Sequence, residues 1–411
     1  MKIGLALSGG GFRATVFHLG VLARLAEERR LEDVTFLSTV SGGSVCAALV
    51  YANSGFEWPT SDHFRDEVVP RVRELLTTQD LQRGLVWRVL TSVLQSPLSL
   101  LETRADDFSA LLKEDWGITA SLSELPENPR WMINAACYET GRNWRFEGFR
   151  MGDYVLGYTY DTDIPLGDAV AASAAVPGLV GPLVLDTQPR SWFKYKDRLS
   201  GVKEQMDPDS HMHRKTEETT PEYSKVHLWD GGIYDNLGLE GLHNFVDGWR
   251  EGVDFLIASS ASGRPQSKGY RRWQVILRII DIPMYQVLAL RSRAIVERFK
   301  VHKDQGSYVH IGNTCEYVLT DARKEALRRK DLEEARRLED AIARLCSDSK
   351  CLSDDEAVRA RDMETTARRL SQEEFERLFR HGFEVADYTL YAYHGDEFKY
   401  IGYSKSRWSQ S

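Results

Sequence analysis

The chain has 411 residues, of which 42% are hydrophobic and 28% are charged, and its formal net charge at pH 7 is −8. This length allows a large buried core and roughly two or three domains, and the composition is that of a globular protein. The excess of acidic over basic side chains, 61 against 53, excludes the overall basic field that nucleic-acid binding requires.

Cysteine content and hydropathy predict the compartment. The five cysteines are odd in number and form no close C-x-x-C pair, which fits a reducing compartment and favours neither a disulfide framework nor a zinc site. The apolar stretch before the first glycines is too short for a signal peptide, and no run of about 18 uncharged apolar residues could span a membrane. We therefore expect a cytoplasmic protein and leave open a peripheral location at the inner membrane face.

The chain begins with a short strand and a glycine-rich loop. An apolar run over residues 2–7 predicts the first strand, and apolar residues at three- and four-residue steps from Val16 to Leu25 predict the first helix. The loop between them consists of Gly9, Gly10, Gly11, Phe12 and Arg13. A glycine loop in this position presents bare backbone N–H groups to an anion above the sheet.

The second strand leads into a serine. The run Val34–Leu37 predicts a buried strand, and an alanine-rich, helix-favouring segment begins at Ser44. The turn between them consists of Thr39, Val40, Ser41, Gly42 and Gly43. A sharp strand-to-helix turn of this kind is a nucleophile elbow, which exposes the serine and needs small residues after it. Ser41 is therefore the predicted nucleophile, with Thr39 where the G-x-S-x-G pattern has its first glycine.

Three anions could lie on the glycine loop, and the sequence favours one of them. No Gly-Lys-Ser/Thr follows the loop, which excludes the phosphate site of a P-loop. The spacing Gly9-x-Gly11-x-x-Ala14 matches a dinucleotide fingerprint, but the second strand ends at Ser41 and not at the acidic residue required. The oxyanion of an acyl-transfer intermediate needs backbone donors beside a nucleophile. The loop is accordingly predicted to be an oxyanion hole, with a purely structural glycine turn as the alternative.

A mostly helical region follows the elbow. Residues 52–130 are predicted to form a helical cap insertion, in which Leu85–Leu101 is strongly apolar and carries Arg88 as its only charge. Two interpretations of this stretch stay open: a cap that opens onto a lipid surface, or an ordinary buried helix.

The middle of the chain supplies a hairpin, a small-residue helix and a second glycine motif. Trp131–Tyr138 and Trp144–Phe149 are predicted to form a hairpin or two neighbouring strands. Within Pro165–Pro182 we expect a small-residue helix that is ended by Val176, Pro177 and Gly178 and whose alanines can approach the elbow closely. Residues 186–225 are polar and are predicted to be a surface insertion. A brief strand, Val226–Trp229, then leads into the motif Asp230, Gly231 and Gly232. An aspartate that leaves a strand into two glycines points its carboxylate beyond the sheet with little steric cover.

Other polar side chains could support this chemistry. Arg13 is predicted to fix the glycine loop or to meet a substrate phosphate, with a surface ion pair as the alternative. Asp235 competes with Asp230 but is better interpreted as a turn or helix N-cap residue. A histidine could add a third member to the site, the candidates being His18, His227, His243, His302, His310 and His381.

The C-terminal part is predicted from periodicity. Phe255–Ser259 and Val275–Ile280 have the apolar character of buried strands, and Asp321–Leu345 is predicted to be a single charged helix. Ser371 and Glu374 have the spacing of a capping box that opens a further amphipathic helix.

Four motifs in this order resemble the patatin-like phospholipase family: Gly9–Arg13, Thr39–Gly43, Ala172–Pro177 and Asp230–Gly232. Any one of them is weak because short glycine patterns recur by chance, whereas all four together are specific. The resemblance implies a three-layer α/β fold with a mainly parallel central sheet flanked by helices. The resemblance covers roughly residues 1–245. For the whole chain we expect a catalytic domain over residues 1–320 and a C-terminal helical extension over residues 321–411 that packs on the core.

The resemblance also implies the chemistry. It assigns a Ser–Asp dyad, with Ser41 as nucleophile, Asp230 as base and Gly9–Arg13 as oxyanion hole. Because aspartate is a weak base, partial desolvation has to raise its proton affinity. Neither a metal nor a cofactor is expected, and the substrate is expected to be a phospholipid ester at a membrane surface. A homo-oligomer and a regulatory ligand or partner stay open.

Two other functions remain as alternatives. An esterase or thioesterase of the same architecture would act on soluble acyl substrates and gain nothing from micelles. Outside the enzyme class, the chain could be a nucleotide- or lipid-binding module without catalysis, against which the presence of both Ser41 and Asp230 argues.

Overall fold

The computed structural model of the chain describes residues 1–84, 105–177, 180–195, 216–244, 248–263, 275–347, 351–364 and 366–408. Within these residues the main β-sheet has 12 strands, and apolar clusters on both faces join it to the surrounding helices. The strands of the chain are β1 (Ile3–Leu7), β2 (Val34–Thr39), β3 (Arg130–Cys137), β4 (Arg142–Glu147), β5 (Arg150–Asp153), β6 (Gly157–Thr159), β7 (Leu183–Asp186), β8 (Trp192–Tyr195), β9 (Thr216–Thr219), β10 (Lys225–Asp230), β11 (His243–Asn244), β12 (Gly248–Trp249), β13 (Phe255–Ser260) and β14 (Gly306–His310).

Most of the helices follow or precede these strands along the chain. They are α1 (Gly11–Glu27), α2 (Gly42–Ala52), α3 (Ser61–His63), α4 (Val69–Thr78), α5 (Ala105–Trp116), α6 (Leu166–Ser173), α7 (Gly232–Asp235), α8 (Val275–Val301), α9 (Cys315–Arg328), α10 (Leu332–Ser347), α11 (Asp354–Arg361), α12 (Gln372–His394) and α13 (Lys405–Trp408). A π-helical turn, Phe64–Val68, joins α3 to α4, and 3-10 turns lie at Leu122–Glu124 and Lys303–Gln305.

The centre of the sheet is parallel. Strands β14, β13, β1, β2 and β3 are neighbours in that order, and each pair among them runs parallel. The predicted α/β class with a mainly parallel central sheet is therefore confirmed. The carboxyl ends of β1, β2, β13 and β14 lie at one edge of this central part, which is where α/β proteins place their ligands.

One antiparallel strand brings the second glycine motif to that same edge. Strand β10 pairs antiparallel with β3, and Asp230 lies opposite Ala135. On the same edge of β3, Thr39 of β2 lies opposite Ile133, so β3 continues past the end of β2, while β4 occupies its other edge. As a result Asp230 reaches the position just beyond β2, where the chain turns at Ser41.

Helix α1 lies at the centre of the larger core. All its residues from Phe12 to Ala26 are buried, because α2 and the long helix α12 both pack on it. The crossing of α1 and α12 is very close: a Cβ on Gly20 would lie 2.1 Å from the Phe379 carbonyl oxygen, and one on Gly382 would lie 2.0 Å from that of Phe17. Glycine at both positions is what allows the two backbones to meet.

The capping box is present at the start of α12. The Ser371 hydroxyl accepts a hydrogen bond from the Glu374 backbone N–H at 3.1 Å, and the Glu374 carboxylate accepts one from the Ser371 N–H at 2.9 Å. The apolar face that follows, which includes Phe375 and Phe379, is fully buried.

Two predictions about the C-terminal part are wrong. Val275–Ile280 is not a strand but the first part of the 27-residue helix α8, since a short apolar run fits either element. The single helix predicted over Asp321–Leu345 is interrupted: α9 ends at Arg328, Lys330 takes a positive φ of 62°, and α10 begins at Leu332. The charged periodicity continues across this tight turn and so hides it from the sequence.

The two predicted insertions are described only in part. Between residues 52 and 130 the described portion is mostly helical, while the apolar stretch Leu85–Leu101 lies outside the described residues. In the region 186–225, strand β8 pairs with β6 and β9, so the described part of this region extends the sheet. Trp192, the first residue of β8, is fully buried.

We expect Gly20→Ala to lower the free energy of unfolding by about 2 kcal/mol, because the new methyl group forces α1 and α12 apart. Urea unfolding followed by circular dichroism measures this change. Gly84→Ala is the matched control, since its Cβ would meet only the end of the Leu111 side chain. Equal stability of both variants would contradict the close crossing.

Candidate active site

Ser41 lies at the apex of a strained turn between β2 and α2. Its backbone has φ 50° and ψ −118°, a region that non-glycine residues rarely occupy. A Cβ on Gly42 would lie 2.3 Å from the Gly11 carbonyl oxygen, and one on Gly43 would lie 2.3 Å from that of Leu7. Both positions after the serine therefore require glycine, and the turn is wedged against the end of β1 and the glycine loop.

Thr39, in place of the usual glycine, has a partner for its hydroxyl group. The Trp131 indole N–H donates to Thr39 Oγ1 at 2.9 Å, and Thr39 Oγ1 lies 2.8 Å from Ser44 Oγ. The side chain is fully buried. The Thr39 side chain is thus part of the hydrogen-bond network that stabilises the turn.

Ser173 on α6 connects this support to the backbone of Ser41. Its hydroxyl donates to the Asn134 carbonyl at 2.7 Å and accepts from the Ser41 N–H at 3.0 Å. Because the Ser173 proton is used in this way, Ser44 Oγ, 2.8 Å away, must donate to Ser173. The Ser44 hydroxyl must then accept from Thr39, so the whole chain of hydrogen bonds has one direction.

Asp230 is buried next to Ser41. The Ser41 hydroxyl lies close enough to the Asp230 carboxyl to affect its pKa, and Asp230 Oδ1 accepts from the Gly232 N–H at 2.7 Å. Burial raises the pKa of Asp230 to about 6, and the Gly232 N–H and the Ser41 hydroxyl oppose this shift only in part. Ser41 and Asp230 are 7% and 5% exposed, so the pair is desolvated on most sides.

The glycine loop lies beside this pair with some of its amides free. The Gly9 N–H donates to the Asn236 carbonyl at 3.1 Å, and the Phe12 N–H donates to that of Thr366 at 3.1 Å. Across the described part of the chain, the N–H groups of Gly10, Gly11 and Arg13 have no hydrogen-bond acceptor. They lie at the N-terminus of α1, where orphan donors and the helix dipole favour an anion.

Arg13 is buried and binds backbone carbonyl groups of two other segments. Its side chain is 7% exposed and donates to the carbonyl oxygens of Ala261, at 3.2 Å, and Met363, at 2.6 Å. Of the alternatives drawn from the sequence, the contacts match fixation of the loop. Arg13 also links the glycine loop to the segment before α12.

Asn236 is the important residue that sequence reasoning missed. A Cβ on Gly9 would lie 2.4 Å from its Oδ1, and a Cβ on Gly232 would lie 2.6 Å from the same atom. Its side chain therefore fills the space between the two glycine motifs, and its Nδ2 donates to Ser262 Oγ at 2.9 Å. The available signal was its place five residues after Gly231, within the Asp-Gly-Gly segment.

The remaining polar candidates have other partners. Asp235 is buried and accepts from the backbone N–H groups of Leu237 and Glu240, which makes it a turn residue. His18 contacts Ser8 and Ser259, and burial lowers its pKa to about 4.

Two further candidate histidines are also engaged. His227 Nδ1 lies 2.6 Å from a Glu139 carboxylate oxygen, and His381 Nε2 lies 2.7 Å from the Ile311 carbonyl. Burial lowers the pKa of His381 to about 4.

Two negative findings concern the described residues alone. They contain no cluster of three or more histidine, cysteine or acidic side chains arranged to hold a metal ion. Among their helices, none is both long enough and apolar enough to cross a membrane.

The fold and the site together define an α/β protein with a strand-turn-helix serine, a buried carboxylate and a helix N-terminus at one sheet edge. The model of the patatin-like phospholipase family matches residues 5–243, more than half of the chain. The chain therefore belongs to the patatin-like phospholipase family.

Individual relatives are distant. A patatin-like phospholipase domain-containing protein of Chaetomium globosum is 27% identical over 192 residues, which are 46% of this chain and 20% of that protein. Among solved structures, human GIVD cytosolic phospholipase A2 is 16% identical with a TM-score of 0.41, over 64% of this chain and 46% of the other. VipD from Legionella pneumophila has a TM-score of 0.28, over 75% of this chain and 61% of that one. The chain thus spans only a fifth of the length of the curated relative.

We expect Asp230→Asn to stabilise the fold above pH 6. The pKa of this carboxyl is 3.8 when unperturbed and about 6 in the fold. The protonated form therefore contributes stability that is complete below pH 3.8 and is lost as the pH rises through about 6. At pH 8 the asparagine variant has no charged, desolvated group at this position. Its free energy of unfolding should therefore exceed that of the wild type by a difference on the order of 3 kcal/mol.

Thermal unfolding at pH 4 and pH 8 tests this expectation. Asp161→Asn, at a carboxylate that is 54% exposed, is the control and should show little pH-dependent difference from the wild type. An Asp230→Asn variant that is no more stable than the wild type at pH 8 would refute the raised pKa.

Proposed function

We propose that the chain is a lipid acyl hydrolase of the phospholipase A or lysophospholipase type, in which Ser41 is the nucleophile. The observation that carries this proposal is the position of Ser41, at the turn after β2, beside the buried carboxyl of Asp230 at the end of β10. Membership of the patatin-like phospholipase family supports lipid esters as the substrate class.

Asp230 is the general base in this proposal. Serine is a weak nucleophile at its free pKa and needs an adjacent group to take its proton. A carboxylate with a pKa of about 6 is mostly ionised at neutral pH, yet it binds a proton more strongly than an exposed aspartate does. Burial thus gives Asp230 the raised pKa that its proposed role as general base requires.

The glycine loop stabilises the oxyanion. When Ser41 attacks the ester carbonyl, negative charge develops on the carbonyl oxygen and is stabilised by preorganised N–H donors. The backbone N–H groups of Gly10, Gly11 and Arg13 are the best donors, because those of Gly9 and Phe12 are already bonded. Gly11 supports this role by position, since its backbone lies directly against Gly42.

The cycle proceeds through an acyl-enzyme. Asp230 accepts the Ser41 proton, the tetrahedral intermediate collapses, and the alcohol part of the lipid leaves with that proton. Asp230 then takes a proton from the water that attacks the acyl group, the bond between Ser41 Oγ and the acyl carbon breaks, Ser41 Oγ takes back that proton, and the fatty acid is released. The scheme needs neither a metal nor a cofactor, and its substrate is presented by a phospholipid membrane or micelle surface.

We expect a fluorophosphonate probe to label the intact protein and Ser41→Ala to abolish the labelling, because the probe reacts with an activated serine. Fatty-acid release from mixed phospholipid vesicles should fall by about 10³-fold or more in Ser41→Ala and Asp230→Asn, in line with loss of a nucleophile or base. Ser54→Ala, at a partly buried serine in the turn after α2, is the control and should behave as the wild type.

Several outcomes would count against the proposal. Labelling that persists in Ser41→Ala would place the nucleophile elsewhere. Hydrolysis of monomeric short-chain esters with no gain from vesicles would favour a soluble-substrate esterase. Absence of both labelling and release would favour a binding module, and equilibrium dialysis with NAD and ATP would then test for nucleotide binding.

We also expect kcat/KM to fall as the pH decreases through about 6, because protonated Asp230 cannot accept the serine proton. Initial rates on a neutral ester between pH 4.5 and 8.5 measure this profile. Unchanged kcat/KM at pH 4.5, with the protein still folded, would rule out Asp230 as the base.

A further inference from the structure

Three of the five cysteines lie in one part of the fold, far along the chain from Ser41. Cys315 is the first residue of α9 and is 5% exposed, Cys346 lies in the last turn of α10, and Cys351 precedes α11. The side chains of Cys346 and Cys351 are partly buried and pack against the apolar cluster that contains Cys315. Three separate segments thus bring their thiols to one place.

The helical hairpin of α9 and α10 brings the first two cysteines together. The two helices pack on each other on either side of the tight turn at Lys330. In such an antiparallel hairpin the first turn of one helix lies beside the last turn of the other. The ion pair between Arg323 and Glu339, at 3.1 Å, joins the two helices partway along and agrees with this arrangement.

Helix α12 holds the third cysteine next to the start of α9. The Leu352 N–H, directly after Cys351, donates to Glu384 Oε2 at 2.7 Å. One turn later on α12, the Tyr388 hydroxyl donates to the Asn313 carbonyl at 2.9 Å, just before α9. Residues four apart on a helix are neighbours, about 5–6 Å between Cβ atoms. The segment before α11 and the start of α9 are therefore held side by side on one face of α12.

The thiols of Cys315 and Cys351 are close enough to influence each other, and the effect is unequal. The Cys351 thiol and burial both raise the pKa of Cys315. The Cys315 thiol lowers the pKa of Cys351, and the Tyr400 hydroxyl, 3.9 Å from Cys351 Sγ, acts in the same direction. Negative charge is therefore more stable on the partly buried Cys351 than on the buried Cys315.

This inequality is the arrangement that a peroxide-sensitive thiol pair requires. The thiolate is the reactive form of cysteine, and the cysteines that peroxides oxidise have a low pKa, are accessible and have a second thiol nearby. Cys351 matches the attacking thiol, and Cys315 matches the second thiol that resolves the oxidised form. In a reducing compartment such a pair stays reduced until an oxidant reaches it.

We propose that Cys351 and Cys315 form a reversible disulfide when a peroxide oxidises Cys351. The Cys351 thiolate attacks one peroxide oxygen, an S–O bond forms, the O–O bond breaks, and the leaving hydroxide takes a proton from solvent. Cys315 Sγ then attacks the sulfenic sulfur of Cys351, the S–S bond forms, the S–O bond breaks, and hydroxide leaves as water with the Cys315 proton. The two thiols thereby give two electrons to the peroxide, which becomes two molecules of water.

The bridge fixes one end of a segment that holds the glycine loop. Residues 351–364 include α11 and Met363, whose carbonyl accepts from the Arg13 guanidinium at 2.6 Å. A covalent link at Cys351 limits the movement of this segment away from the loop. The thiol pair is separate from Ser41 and Asp230, so its oxidation does not depend on lipid hydrolysis.

Peptide mapping of the intact protein tests the pair. The reduced protein is treated with hydrogen peroxide at pH 7, free thiols are blocked with iodoacetamide, and a tryptic digest is analysed by mass spectrometry without reductant. Trypsin places the three cysteines on separate peptides, 304–323, 345–350 and 351–359. We expect peptides 304–323 and 351–359 to appear as one disulfide-linked species, which dithiothreitol separates.

Two serine variants and one rate comparison assign the roles. Cys351→Ser should lose the linked species, whereas Cys346→Ser, at the neighbouring thiol, is the matched control and should keep it. In the reduced, folded wild type at pH 7, iodoacetamide should alkylate Cys351 at least about tenfold faster than Cys315, because Cys351 forms the thiolate more readily. Thermal unfolding of each variant establishes that it is folded.

Each outcome supports or overturns the proposal. The linked species in both the wild type and Cys346→Ser supports the pair, and mapping of the wild type decides the question even when a variant does not fold. Absence of this species after peroxide treatment, a link from peptide 345–350 in its place, or alkylation of Cys351 no faster than that of Cys315 overturns the proposal.

Discussion

Close approach of backbone segments, with no space for a Cβ between them, is the constraint on which the site depends. A methyl group on Gly42 would collide with Gly11, one on Gly9 with Asn236, and one on Gly231, at 2.4 Å, with the Asn134 carbonyl oxygen. These contacts hold three separate parts of the sequence against each other. Because the glycines allow such contact, a serine from β2 and a carboxylate from β10 meet at one buried point.

Burial then determines the chemistry of that point. Desolvation raises the pKa of Asp230, which makes the folded state less stable above pH 6 and the carboxylate a better base. The one-directional hydrogen-bond chain passes through Ser173 to the Asn134 carbonyl, and the Ser41 N–H donates to Ser173, which holds the Ser41 backbone in a strained conformation. Under the proposed mechanism, stability and reactivity oppose each other at the same residues, as is common at functional sites.

The C-terminal helices belong to the same structural unit as the site. Helix α12 packs on α1 through Gly20 and Gly382, and Met363 and Thr366, just before α12, accept hydrogen bonds from Arg13 and Phe12. The family model ends at residue 243, yet the glycine loop is fixed by residues far beyond it. Helix α8 and strand β14, also outside the matched region, line a cavity of about 420 Å³.

The sequence alone determined the α/β class, the elements that carry Ser41 and Asp230, and the capping box at Ser371, because each depends on local pattern or on turn chemistry within a few residues. It did not determine whether Val275–Ile280 is a strand or where α9 ends, because short apolar runs and charged periodicity fit more than one element. Only the tertiary structure revealed Asn236, Ser173 and the bonds of Arg13. Their roles arise from contacts between segments distant in the chain, and no local pattern records which backbone will lie against them.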